Sequence, residues 1–203
     1  MSQPTLILLL SVLCPWLMVV LGLQALADRC GFKARGWGRL LLLGLVATGF
    51  LLLPVRGMPI AGWVRGVSVN FSIPFASLIA VALWEGEFRR QWFSRADWTV
   101  AWAFGMAAGL GLYPLALGWG SFDPYEWGWS FSPLFVAVAV MTALLAWKQN
   151  RFCLPLLLAV AAYHLRLQES ANYWDYLLDP VYCLVSIIAL AWQMLARARQ
   201  GGY

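Results

Sequence analysis

The chain has 203 residues, of which 62% are hydrophobic and only 11% are charged, and its mean hydropathy is +0.72. A soluble domain carries about 25% charged residues and must cover its surface with polar groups, so this composition excludes an ordinary water-soluble fold. The net charge of +5 comes from basic clusters between apolar runs, which indicates membrane topology rather than nucleic-acid binding.

The apolar runs are continuous rather than alternating, which favours membrane helices over a β-barrel. We therefore predict an all-α polytopic bundle of about seven transmembrane helices that forms a single integral membrane domain over residues 1–203. The predicted spans are residues 5–27, 40–55, 71–84, 98–117, 133–147, 152–167 and 180–195.

The first span begins without basic residues, and its apolar core is longer than the roughly 7–15 residues of a secretory signal. We expect it to be retained, although residues 25–27 (ALA) resemble a cleavage site, and cleavage would leave six spans. Residues 57–70 are too polar and too rich in Gly to cross a membrane. They predict an interfacial or re-entrant segment with Trp63 and Arg65 near headgroup depth.

Several helix starts and one packing site are visible in the sequence. Gly105 and Gly109 predict that another helix approaches the fourth span closely, because small residues remove the side chains between two backbones. The residues expected to cap helix starts are Asp97, Asp123, Ser132, Asn172 (with Asp175 at the third helical position) and Asp179.

The basic residues divide unevenly between the two sides of a seven-span chain. Eleven of the 14 Lys and Arg residues fall in one set of alternate loops and the C-terminal tail, whereas Arg56, Arg65 and Arg166 fall in the other set. The positive-inside rule then predicts an external N-terminus and a cytoplasmic C-terminus. The external loops are rich in carboxylates and in Trp, of which the chain has 13.

The stretch 163–180 carries the only His of the chain and a group of charged and aromatic residues beside the sixth span. If that helix continues, Arg166 and Glu169 are spaced to pair. Ionisable groups near a membrane usually face a partner or a cavity, so we predict an outward-facing polar and aromatic pocket. Alternatively, Arg166 lies at headgroup depth and neutralises Glu169, and the Trp and Tyr residues are interfacial anchors.

The residues predicted to bind a substrate or lipid headgroup share charge or an aromatic ring and lie in the external loops: Arg56, Arg65, His164, Arg166, Glu169, Trp174 and Asp175. If the protein is an enzyme, the expected acid and base groups are His164, Glu169 and Asp175. Aromatic rings beside carboxylates are also typical of sites that stack on a sugar or hold a cation.

Metal and cofactor chemistry is not expected. The four Cys residues form no CxxC pair, and the chain lacks HExxH, GxSxG and phosphate-binding glycine motifs. We therefore predict no metal site, no cofactor and no nucleic-acid partner.

Three functions remain open from the sequence. The leading hypothesis is a small polytopic protein of the plasma membrane, and more narrowly of a bacterial inner membrane. It would act without catalysis as a transport component or accessory subunit, in a homo-oligomer or a larger complex within the lipid bilayer. The alternatives are a membrane enzyme acting on a lipid-linked or extracytoplasmic sugar or phosphate substrate, and a scaffold whose aromatic outer loops bind a partner protein.

Overall fold

The computed structural model describes residues 3–68 and 70–200, and most of these residues are helical. The helices are α1 (Gln3–Arg29), α2 (Trp37–Leu52), α3 (Ile60–Val67), α4 (Ile73–Phe88), α5 (Arg95–Ala116), α6 (Pro133–Trp147), α7 (Cys153–His164), α8 (Tyr173–Leu177) and α9 (Pro180–Gln200). A 3-10 helix spans Pro124–Gly128, and β1 (Pro54–Val55) pairs antiparallel with β2 (Met58–Pro59).

Three of these helices are long and apolar enough to cross a membrane: Ile7–Arg29 within α1, Arg95–Ala116 and Pro180–Arg199 within α9. Helices α2, α6 and α7 are apolar but shorter. The predominantly helical fold is consistent with the all-α prediction, and the three long helices support the broader assignment to a membrane protein. The number of spans stays a prediction.

Some helix boundaries differ from the prediction for local reasons. The second span was expected to reach residue 55, but α2 ends at Leu52, because Pro54 cannot donate the next helical hydrogen bond. Residues 54–59 form the small β-hairpin instead, with Gly57 at a positive φ of 82° in its turn. Conversely, α4 continues to Phe88, beyond the expected end at residue 84.

The start of α5 was also predicted incorrectly. Ser94, not Asp97, is the N-cap, and Asp97 is the third helical residue. The two form a reciprocal capping box, in which the Ser94 hydroxyl accepts from the Asp97 N–H and the Asp97 carboxylate accepts from the Ser94 N–H. Asp123, Ser132 and Asp179 each cap the helix that follows, as predicted.

Helices α5 and α9 make the most extensive helix–helix contact. A Cβ atom added to Gly105 would lie 2.9 Å from the Tyr182 ring and would overlap the Ser186 hydroxyl, and one added to Gly109 would overlap Cys183. The two glycines therefore permit the close approach that the sequence predicted. The buried Tyr182 hydroxyl crosses this interface and donates to the Ala101 carbonyl at 2.7 Å.

The loops gather at two ends of the bundle. At one end, the Arg151 N–H donates to the Asp97 carboxylate at 2.9 Å, and the Arg35 guanidinium donates to the Gly86 carbonyl. We call this the basic end; its loops are residues 30–36, 89–94 and 148–152. The opposite, aromatic end contains residues 53–59, 117–132 and 165–179.

Candidate functional site

The predicted outer-face residues lie at the aromatic end, where some of their contacts differ from those expected. Arg65 of α3 donates to Glu169 at 2.8 Å, and both side chains are partly exposed. The expected pair of Arg166 with Glu169 is therefore wrong. Its failure has a clear cause: α7 ends at His164, so the helical spacing that would align the two residues does not extend to them.

The path of the chain after α7 leaves some of the predicted residues exposed and turns a neighbouring residue inward. Arg166 adopts a positive φ of 54° and is exposed, and His164 is exposed with its ring edge-on to Tyr163. Gln168 turns inward, and its side-chain amide donates to the Phe71 carbonyl at 2.7 Å. The loop after α7 is thus attached to the start of α4 through Gln168.

Arg56 lies in the turn of the β-hairpin, where it is exposed and has a positive φ of 52°. Arg65, the other external-loop arginine apart from Arg166, already donates to the Glu169 carboxylate. The predicted set of three arginines around one anion therefore gains no support from these contacts.

Asp175 and Trp174 connect α8 to the 3-10 helix. The Tyr125 hydroxyl lies 3.0 and 3.1 Å from the two carboxylate oxygens of Asp175, and the Trp174 indole N–H donates to the Pro124 carbonyl at 2.8 Å. Asn172 caps α8 and also donates to the Tyr125 carbonyl at 3.0 Å. Asp175, expected to complete a capping box with Asn172, binds Tyr125 instead.

Burial, and then the negative charge of Asp175, raise the pKa of Tyr125 to about 12. The phenol therefore stays protonated at neutral pH and acts as a hydrogen-bond donor to Asp175. Burial also raises the pKa of Asp179, and the Ser72 hydroxyl and N–H partly oppose that rise by donating to the carboxylate at 2.6 and 2.9 Å. The carboxylates of Asp175 and Asp179 therefore each bind a residue from another loop of the aromatic end.

Residues 119–131, which include the 3-10 helix, carry an array of exposed rings that we call the aromatic platform: Trp119, Phe122, Trp127, Trp129 and Phe131. Phe122 and Trp127 contact each other edge to face, with ring centroids 5.0 Å apart. Asp123 and Glu126 lie among these rings, and no Lys or Arg occurs between residues 96 and 147. The platform is therefore both apolar and acidic.

A buried ionic cluster at the basic end was missed by sequence reasoning. The Arg39 and Glu87 side chains are 1% and 0% exposed, with Nη1 and Oε2 3.6 Å apart. Arg39 also donates to Asp28 at 2.7 Å, and Glu87 accepts from the Gln24 amide at 2.9 Å and the Gly36 N–H at 2.6 Å. The sequence placed both ionic residues beside loops, where charge density alone gave no sign of burial.

The structure also contains a cleft that the sequence did not predict. It has a volume of about 890 Å³ and lies among α1, α4, α5 and α9. Its walls are mainly apolar and include Phe75, Leu78 and Trp98, whereas Arg95 and Arg197 border it from α5 and α9. None of the predicted site residues lines this cleft. A signal did exist: apolar residues recur at helical spacing on α4, but such stripes usually indicate core packing.

In the described part of the chain, no group of three His, Cys, Asp or Glu residues is placed to hold a metal ion. No protein-family model, curated protein or solved structure matches this chain.

Proposed function

We propose that this protein is a non-catalytic, seven-span accessory subunit of a membrane complex, with its N-terminus and aromatic platform outside and its basic end in the cytoplasm. A bacterial inner membrane fits the short loops and the distribution of Lys and Arg. The platform would bind a partner protein whose facing surface is basic and apolar. The proposal combines two of the hypotheses from the sequence: an accessory subunit of a membrane complex, and a scaffold whose aromatic outer loops bind a partner protein.

The observation that carries the proposal is the way in which the outer loops are fixed. Hydrogen bonds from Tyr125, Trp174 and Asn172 join the 3-10 helix to α8. Trp127 of the platform lies in this fixed helix, and Phe122 and Trp129 lie within two residues of its ends, so part of the platform is preorganised, which reduces the entropy lost when a partner binds. Exposed aromatic residues are also the side chains most enriched at the energetic centres of protein interfaces.

Charge supports the same type of partner. Asp123 and Glu126 give the platform a negative charge that no basic residue of its own segment offsets. A basic partner surface would gain electrostatic complementarity, which chiefly increases specificity and association rate. The enzyme alternative receives less support, because Glu169 and Asp175 already have structural partners in Arg65 and Tyr125.

Orientation is tested first, in a Cys30→Ser background that removes the exposed native thiol. An impermeant maleimide should label Ser121→Cys in intact cells and Lys148→Cys only after lysis. These positions lie in loops at opposite ends of α6, and both are exposed. The reverse pattern would show that the platform faces the cytoplasm.

Partner binding is tested with two variants, in which a photo-crosslinking phenylalanine derivative replaces either Trp119 or Trp147. The two Trp side chains are equally exposed, at 81% each, but only Trp119 belongs to the platform. We expect a discrete protein adduct from position 119, weakened several-fold by high salt or by Asp123→Asn with Glu126→Gln. Equal adducts from both positions, or adducts with lipid alone at 119, would refute the proposal.

A further inference from the structure

We propose that the cleft among α1, α4, α5 and α9 binds one anionic phospholipid. The phosphate would lie at Arg95 and Arg197, and the acyl chains would lie along the apolar walls. This site is separate from the aromatic platform and does not depend on the partner proposed for it. It requires only that the helices be embedded in a bilayer.

The cleft results from how four helices are paired. Helix α1 packs mainly on α4, and α5 packs mainly on α9. Near the aromatic end the two pairs are joined, because Asp179 at the start of α9 accepts from Ser72 at the start of α4, and the Phe75 and Tyr182 rings stack 5.6 Å apart. Farther toward the basic end, a space of about 890 Å³ separates the pairs. Ligand sites commonly have volumes of roughly 300–1,000 Å³.

The walls of the cleft suit a hydrocarbon chain. On α4, Phe75, Leu78, Ile79 and Ala82 follow one another at helical spacing on the face that lines the space. On α1, a Cβ atom added to Gly22 would have no neighbour within 4 Å, so this glycine leaves part of the cleft open. Walls of this kind present few polar groups that an acyl chain would leave without a hydrogen-bond partner.

The border of the cleft at the basic end suits a phosphate group. Arg95 and Thr99 are one turn apart on α5, and Gln193 and Arg197 are one turn apart on α9. The helices are antiparallel, and the Thr99 hydroxyl, which donates to the Arg95 carbonyl at 2.9 Å, also lies 3.2 Å from the Gln193 side-chain oxygen. This contact places Thr99 opposite Gln193, and the two arginines, each one turn away, border the same opening.

No acidic side chain in the described part of the chain balances the charge at this opening. None of the residues lining the cleft is Asp or Glu, and within residues 3–68 and 70–200 neither arginine forms a salt bridge. Guanidinium groups bind phosphate oxygens through paired hydrogen bonds. An anionic phospholipid satisfies both the charge and the apolar walls, whereas a zwitterionic lipid adds a cation and inorganic phosphate leaves the walls unoccupied.

The test is native mass spectrometry of the full chain in detergent, with phosphatidylglycerol or phosphatidylcholine of identical acyl chains. We expect one retained phosphatidylglycerol and a preference over phosphatidylcholine of about tenfold or more. Arg95→Gln with Arg197→Gln should remove that preference. The matched control, Arg90→Gln with Arg199→Gln, changes the net charge equally at positions outside the cleft and should retain it.

A second pair of variants tests the apolar part of the site. Gly22→Leu should fill part of the cleft and reduce retention of phosphatidylglycerol several-fold. Gly49→Leu, on α2 and also with open space around its Cβ position, should leave retention unchanged. Equal retention of the two lipids would indicate only non-specific lipid around the protein. Each of three results would overturn the proposal: equal retention of the two lipids, equal losses in the test and control variants, or displacement of the lipid by inorganic phosphate.

Discussion

At the basic end the helices are joined by charged side chains that are completely buried, whereas at the aromatic end they are joined largely by neutral donors. Arg39 and Glu87 connect α2 and α4 at the basic end. At the other end, Ser72 donates to Asp179, and Tyr125 donates to Asp175. Removing one partner of a buried ion pair leaves an uncompensated charge, whereas removing one partner of a hydrogen bond from a neutral donor leaves an unsatisfied polar group at a smaller cost. Single substitutions should therefore destabilise the two ends by different amounts.

The largest expected effect is the loss of the buried ion pair at the basic end. Glu87→Ala leaves part of the Arg39 guanidinium uncompensated and removes the acceptor of the Gly36 N–H. We expect the free energy of unfolding to fall by about 3 kcal/mol, measured by denaturation in mixed micelles.

Glu126→Ala is the control at the aromatic end, because Glu126 is exposed, and it should change stability by less than about 0.5 kcal/mol. Replacing both Arg39 and Glu87 by Leu should recover most of the loss. A single Glu87→Ala variant as stable as the parent protein would show that the ion pair does not stabilise the basic end.

The next largest effect is expected from Asp179, which holds the starts of α4 and α9 together. Asp179→Ala removes the cap of α9 and leaves the buried Ser72 hydroxyl and N–H without their acceptor. The expected loss is about 2 kcal/mol, measured in the same mixed micelles.

Asp123→Ala is a control that removes a cap of the 3-10 helix without breaking a bond between helices, and its effect should be about 0.5 kcal/mol. If the two variants are equally stable, the Asp179–Ser72 contact contributes nothing beyond ordinary capping.

The smallest effect is a pH dependence at the aromatic end. The pKa of Tyr125 is about 12 in the folded protein, whereas an unperturbed Tyr has a pKa near 10. A raised pKa means that the stabilisation from the protonated phenol is complete below pH ~10 and is lost as the pH rises towards ~12. Because the ring is partly exposed, we expect a loss of about 1 kcal/mol, after allowing for solvent screening.

The measurement is the free energy of unfolding between pH 9 and pH 12, compared with that of Tyr125→Phe. The variant should show a shallower decline, because it lacks the titrating hydroxyl but keeps the ring. Identical profiles would mean that the Tyr125–Asp175 bond does not couple stability to pH.

Much of the fold was predictable from local sequence. Continuous apolar runs predicted the long helices, because backbone groups in an apolar environment must be paired within the helix itself. The caps at Asp123, Ser132 and Asp179, and the close approach at Gly105, were also predictable, because each depends on a few adjacent residues.

The errors in the candidate site arose where one residue depends on a distant one. Glu169 was assigned to the nearby Arg166, yet it binds Arg65, which is 104 residues away in the chain. Asp175 was expected to complete a cap or to face a ligand or proton donor, and its carboxylate accepts from Tyr125, 50 residues away. Spacing along a helix identifies partners only while the helix continues, and α7 ends at His164.

The sequence by itself determined a helical chain with strongly apolar segments, whose basic residues cluster in alternate loops, because composition and hydrophobic continuity are local properties. Only the tertiary structure decided that Arg39 is buried against Glu87 and that Arg95 and Arg197 border one cleft. Those outcomes depend on which helices pack together and how they are aligned. Packing and alignment arise from the combined contacts of many residues far apart in the chain, so no single stretch of sequence contains them.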